Sequence, residues 1–397
     1  MAVYDWEMVF LRQACVFVFC LTVALAGRMS IVADRGRADA AERVDLVRVP
    51  GNGLQPQAVV DRDGRVHVIY FGGEPAHGDV FYTRLDGDDR FSTPVRVNSE
   101  PATVVAIGNV RGARVALGSG RVHVAWVGSD RAAKAAEAAP MLYTRSRADG
   151  TFEPARNVHR NAGPIDGGSI GADDRGHVLV AWHSELPGRQ GEAQRRTWIA
   201  RSSDAGATFA GEFAASPDDA GACGCCGSST FVDRAGTAYV LFRDAREKAR
   251  REAMLLTSTD AGATFAAQVL QPWNIDACPM STFALAEGGR ATAAAWETAG
   301  QIYWSPIDRS THHAGAPIAA PGASGRRKHP SIARNDRGET LVAWTEGMGW
   351  SRGGAVAWQL FDRNGAPAGA VGRAEGVPAW SLVSAFVRPD GRFAILY

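Results

Sequence analysis

The sequence predicts an all-β protein, a β-propeller of four-stranded blades, seven blades being favoured and six remaining open. Three observations predict it. A hairpin phrase recurs along the chain, a second strand pair lies between successive hairpins, and the unit repeats at about 53 residues, a period of propellers and solenoids. The phrase is a short strand, a turn ending in Gly, and an alternating strand closed by an aromatic. It reads AVVDRDGRVHVIY (58–70), ARVALGSGRVHVAW (113–126), IGADDRGHVLVAW (170–182) and TFVDRAGTAYVLF (230–242). It returns as FALAEGGRATAAAW (283–296), SIARNDRGETLVAW (331–344) and AFVRPDGRFAILY (385–397).

Each turn glycine, from Gly64 to Gly391, supplies the positive φ of a tight hairpin. The apolar–polar alternation marks strands packed on a face. Second pairs such as 80–97 and 141–158 complete units of four strands, here A to D, and radial packing leaves such sheets only short, protected edges. The period-2 pattern excludes a helical solenoid. The chain ends on an A–B hairpin without C or D. VDLVRV (44–49) resembles the D strands TPVRV and EPARNV, so it is expected to complete the last blade and close the ring. Six blades would follow if the terminal hairpin packed elsewhere.

The N-terminus reads as targeting. Ala14 to Ala26 is a short apolar run after Arg12, ending in an A-x-A pattern before Gly27, which implies a cleaved signal peptide over 1–26. Asp5 and Glu7 are unusual ahead of such a run. A start at Met8 gives a more ordinary lead-in, and both starts stand. Residues 27–43 form a linker and 44–397 the propeller. The expected location is periplasmic or secreted. No apolar segment beyond residue 30 is long enough to span a membrane. Lys and Arg number 43 against 42 Asp and Glu, a net charge of +1, which gives nucleic acid no electrostatic footprint. A monomer is expected.

Two C–D turns carry a motif. Ser202-Ser203-Asp204-Ala205-Gly206-Ala207-Thr208-Phe209 and Ser258-Thr259-Asp260-Ala261-Gly262-Ala263-Thr264-Phe265 both read S-x-D-x-G-x-T-F. The Asp accepts backbone N–H bonds within the turn, the Gly takes the strained φ, and the Phe plugs between strands. Degenerate forms stand at 146–152 and 86–91. These are Asp boxes, and in register with the repeat they resemble the sialidase-like (BNR repeat) superfamily across the mature chain. The resemblance makes them fold markers on the face opposite the active site.

Sialidases use a tyrosine nucleophile, an acid and an arginine clamp on the substrate carboxylate. The family's first arginine sits in an R-I-P phrase, and the matching stretch here is Leu54-Gln55-Pro56-Gln57, with Gln where Arg belongs. Tyr70, Tyr82, Tyr143, Tyr303 and Tyr397 all read as packing residues. Sialoside hydrolysis is therefore not expected.

The topology puts A–B turns and C–D boxes on one face and D–A and B–C loops on the other, where propeller ligands bind. Three A-strand entries carry chemistry: Cys223-Gly224-Cys225-Cys226-Gly227, Trp273-Asn274-Ile275-Asp276-Ala277-Cys278-Pro279 and Arg326-Arg327-Lys328-His329-Pro330. The two cysteine phrases resemble those of a group of bacterial sialidase-like propellers. B-strand exits add His183, Glu185, Arg243, Asp244, Glu297 and Glu346. In an oxidising compartment disulfides are the first reading of Cys223, Cys225, Cys226 and Cys278, since C-x-C-C is not a standard zinc spacing, and copper or zinc held by these thiols and His329 is the second. Cys278 should lie beside the cluster, because both precede inner strands of adjacent blades. His67 and His123 are read as structural, and the run 246–252 as a solvated loop. The leading expectation is a binding propeller that presents a cysteine- and charge-lined axial site to a small ligand, glycan or metal. The alternatives are a glycoside hydrolase or lyase using Glu297 and Glu346, with Arg243 and Asp244 as further candidates, and a protein-interaction scaffold.

Overall fold

A computed structural model describes residues 44–397 except 88, 109–110, 134–137, 162, 247–248 and 290. The expected signal peptide (1–26) and linker (27–43) lie outside the described residues. The described strands form seven sheets, six of them four-stranded and antiparallel. The inner A strands are Leu54–Val60, Arg114–Gly118, Ile165–Ala172, Ser229–Val232, Ala284–Gly288, Arg327–Arg334 and Ser384–Val387, for blades 1 to 7. Each packs against the A strands of both neighbouring blades, and blade 7 returns to blade 1. The ring is closed, with seven blades.

The aromatic closers explain how the blades stack. There is one hydrophobic cluster per blade interface, each with one closer. Trp126, Trp182, Phe242, Trp296 and Trp344 are fully buried and fill the gap to the preceding blade. Tyr70 and Tyr397 serve the two interfaces of blade 7. Hydroxyls lace the inner strands. Ser331 Oγ accepts from Ala385 N at 2.8 Å, Ser384 Oγ from Ala58 N at 2.9 Å, and Ser169 Oγ bonds Ser228 and Thr230, both at 2.7 Å. These bonds satisfy polar groups where the radial sheets crowd together.

Ring closure departs from expectation in one respect. The N-terminal strand, Val44–Val47, does close the last blade, but it lies directly beside Phe393–Leu396 and parallel to it, leaving that blade three-stranded. In an antiparallel blade, D runs parallel to B. The segment keeps the direction of the D strands it resembles, and with no C strand among the described residues it takes the third position. Arg48 secures it, donating to Gly376 O at 2.7 Å and lying 3.8 Å over the Tyr397 ring.

Candidate functional site

The A-strand entries share a backbone device. Gln55, Gly167, Met280, His329 and Trp380 all have φ between 50° and 66°, and the ladders of blades 1, 3 and 6 shift register there. A left-handed residue swings the chain across the top of the ring before it enters the channel wall. Gln55 sits in this position. Its amide donates to Ala106 O at 2.6 Å and Trp380 O at 2.8 Å, so it ties blade 1 to its neighbours.

Blade 4 enters through a tight thiol turn. Cys226 N donates to Cys223 O at 3.3 Å, and Cys223 N to Arg243 O at 2.9 Å. The Cys223 sulfur then lies 3.2 Å from that of Cys225 and 3.3 Å from that of Cys226. Cys223 and Cys226 are fully buried and Cys225 partly so. All four cysteines are thiols in the structure, and the separations around Cys223 exceed a disulfide bond, about 2.05 Å. Cys278, on the way into blade 5, is exposed and comes within 4.8 Å of Cys225 Sγ and a Glu192 carboxylate oxygen. The structure thus brings Cys278 to the edge of the cluster. His329 does not join these mutually close donors.

Electrostatics differentiates the thiols. Burial opposes ionisation of Cys226, but hydrogen bonds from Cys223 and Cys225, the Arg243 charge and the Ser281 N–H together hold its pKa well below the usual thiol value. Hydrogen bonding to its neighbours pushes Cys223 up, and Cys225 is raised as well.

Arg243 is fully buried, donates to Arg251 O at 2.7 Å and to Glu297 O, and lies 5.0 Å over the Trp273 ring. Its Nη2 is 3.8 Å from the Glu297 carboxylate, whose pKa burial raises. Asp244 accepts from Glu252 N at 2.6 Å, and burial raises its pKa to about 6. Glu346 is held by Trp344 Nε1 at 2.8 Å and by Arg327 and Arg373, both at 3.3 Å. Glu185 accepts from Gly191 N at 2.8 Å. His183 is fully buried, 3.3 Å from Thr197 Oγ1, and burial lowers its pKa to about 4.

These positions correct the expected axial site. Of the candidate residues, His329 alone lines the axial channel, a cavity of 990 Å³. His183 packs against Phe242 of the next blade, and Arg243 bonds Glu297 of the next. The cysteines line the channel no more than they do. Glu297 and Glu346 share neither the channel nor the small pocket above it. At the end of the run 246–252, read as a solvated loop, Arg251 and Glu252 are buried, and Arg251 pairs with Glu192 at 2.8 Å.

Residue-type reasoning missed this second set. Glu192, in the B–C loop of blade 3, accepts from Gly224 N at 3.0 Å and so braces the thiol turn. Arg195 lies so close to Gly224 that a side chain there would strike its guanidinium. Asp166 is buried at the blade 3 entry, 2.7 Å from Arg111 Nε and 3.5 Å from Arg195. The available signal was position: Asp166 occupies an A-strand entry, as the cysteines do.

The opposite face repeats. In blade 3, Asp204 accepts from Ser202 Oγ at 2.7 Å, Thr208 N at 2.8 Å and Thr208 Oγ1 at 2.7 Å. Its pKa is lowered to about 2, chiefly by the Thr208 N–H. Asp260 repeats the set with Ser258 and Thr264. Gly206 packs over the His123–Tyr143 pair of blade 2, and a side chain there would strike the Tyr143 hydroxyl. Gly262 packs on Leu179 of blade 3 in the same way. Phe209 meets Tyr143 edge-on at 4.8 Å and Phe265 lies 6.5 Å from Phe213. His123 and His67 are structural, each 2.8 Å from a tyrosine hydroxyl one strand over.

These features define a class, the seven-bladed β-propeller. No protein-family model and no curated protein matches the sequence. Solved structures do. The GH93 α-L-arabinofuranosidase of Fusarium graminearum, in complex with arabinobiose, aligns at TM-score 0.51 and 10% identity, over 76% of this chain and 92% of its own. The Penicillium chrysogenum α-L-arabinanase, complexed with arabinobiose, aligns at 0.50 and 12%, over 80% and 95%. A Hadza microbial sialidase, Hz136, aligns at 0.47 and 13%, over 78% and 68%. At such identities the likeness establishes the fold alone.

Proposed function

We propose that this chain is a metal-binding propeller that holds a soft or borderline ion, Cu(I) or Zn(II), at Cys223, Cys225 and Cys226. One observation carries the reading: one turn gathers three sulfurs within 4.8 Å of one another, two of them on fully buried cysteines. Thiolates are the preferred donors for these ions. Cys278 and Glu192 stand at the rim as ligands for entry or exchange, and the Arg243 cation offsets the charge of a multi-thiolate site. A protein of this kind would work in the periplasm or outside the cell, as a monomer.

Elemental analysis with thiol counting tests the reading. The expected result is one copper or zinc per chain and thiols that react only after chelation. Cys226→Ser should lose the metal and keep its melting temperature. Metal-free protein with no countable thiols would overturn the proposal in favour of disulfides.

A carbohydrate ligand is the second reading. It is favoured by the fold likeness to two structures solved with arabinobiose. If the chain is an enzyme, glycosidase chemistry is the reaction class this reading implies. Sialoside hydrolysis is not proposed, because the Gln55 amide is committed to backbone carbonyls and carries no charge for a carboxylate.

A further inference from the structure

Three successive entries on the loop face converge on one small pocket. Met280 stands at the entry to blade 5, His329 at that of blade 6 and Trp380 at that of blade 7, and their φ angles are 51°, 52° and 56°. A residue with a side chain seldom adopts this conformation unless its surroundings fix it. Met348 and Trp350 join them from the B–C loop of blade 6, between Glu346 and Gly354. With Lys328 they line a cavity of 110 Å³ above the axial channel. Trp350 reaches across the ring to Gly108, between blades 1 and 2, where a Cβ would stand 3.6 Å from its indole.

The donors in this pocket are soft. Two thioethers and an imidazole line it, and among the described residues neither a carboxylate nor a thiol does. Methionine used for packing fills gaps, whereas these two are half-buried and flank one that stays open, although Met348 also rests on the cluster between blades 6 and 7. Thioethers and imidazole suit Cu(I), while Zn(II) takes thiolate, imidazole and carboxylate donors. His329 is buried, and burial with the Lys328 charge lowers its pKa to about 3, so its imidazole is neutral and has a lone pair to donate.

Charge narrows the ion further. Among the lining residues Lys328 is the one cation, and its Nζ donates to Pro279 O at 2.5 Å, beside Met280. A fixed positive charge repels a divalent ion twice as strongly as a monovalent one. The indoles of Trp350 and Trp380 act oppositely, since an aromatic face attracts a cation.

We propose that this pocket is a metal site of its own, selective for the monovalent soft ion Cu(I), held by the Met280 and Met348 sulfurs and a ring nitrogen of His329. The site is separate from the thiol turn and does not depend on that turn's holding an ion.

The test is NMR of the full chain with isotope-labelled methionine methyls, stripped of metal and titrated with Ag(I), a redox-inert stand-in for Cu(I). The Met280 and Met348 signals, assigned with Met280→Leu and Met348→Leu, should both shift, while those of buried Met141 and Met254 stay. Zn(II) should move neither. Leucine keeps the volume and removes the donor, so in Met280→Leu the Met348 signal should need about tenfold more Ag(I) to move. Unmoved signals in wild type would overturn the proposal. So would equal shifts with Zn(II), or a Met348 signal that moves in Met280→Leu at the wild-type Ag(I) concentration. Thiol counting in the same samples reads the thiol turn separately. Methyl shifts beside freely reactive thiols would support this site and count against the thiol site alone, and protected thiols beside unmoved methyls would do the reverse. Should Met280→Leu fail to fold, the reciprocal Met348→Leu and the wild-type comparison of Ag(I) with Zn(II) still decide.

Discussion

On the turn face, Asp61, Asp173 and Asp233 cap their A–B hairpins alike, each accepting the N–H four residues on, at 2.8 to 2.9 Å. On the loop face, the entries of blades 1, 3, 4 and 6 differ in their side chains: a glutamine amide, a buried carboxylate, a thiol turn and a histidine. The turn face solves one local problem the same way in these three blades, with donor and acceptor four residues apart. The loop face is built from partners in different blades, so each entry is free to carry different chemistry.

The sharpest way to break this contrast is to open the ring, which both faces share. Deleting residues 44–49 removes the parallel ladder and buried Val44, Val47 and Val49. It should cost on the order of 5 kcal/mol and broaden thermal unfolding. An unchanged melting temperature would show that the strand is dispensable.

The next effect is pH dependence beneath the turn face. Burial lowers the His123 pKa to about 4, below its value of about 6.5 in an unfolded chain. Between these values the unfolded state binds the extra proton, so stability is full above pH 6.5 and declines as pH falls toward 4. The contribution is on the order of 2 kcal/mol. Denaturant melts of wild type and His123→Gln at pH 7.5 and 4.5 should show a smaller loss in the variant, and identical losses would refute the assignment.

Asp204→Ala should cost about 1 kcal/mol, because it frees the Thr208 N–H at an exposed turn. The loop face should be indifferent to it, with metal content unchanged, and metal lost along with Asp204 would erase the distinction between the faces. The smallest expected effect is none: wild type should not turn over a fluorogenic sialoside. Clear turnover, lost on mutating a tyrosine, would return the loop face to sialidase chemistry.

The same contrast explains what was legible. The hairpin repeat and both Asp boxes could be read because their partners lie within one phrase. Asp308 and Asp362 hold the same C–D turns in blades 5 and 6, at Ser310 and Asn364, but lack the full motif. The cysteines stood out by type, and their convergence followed from the strand order. Glu192 and Asp166 did not stand out. Glu192 supports a residue 32 positions away, and Asp166 pairs across 55. Burial of His183 and Arg243 was also hidden, since a B-strand exit looks solvent-facing until the next blade covers it.

The parallel closing strand bears on how the ring withstands force. Val44 starts beside Phe393 and Val47 ends beside Leu396, so the chain enters the closing strand and leaves its partner at opposite edges of the ladder. Tension between the ends therefore loads every rung together, in shear. An antiparallel closing strand would place both ends at one edge, where tension peels one rung at a time. By skipping the C position, this chain fastens its ring with a joint that must be torn rather than unzipped.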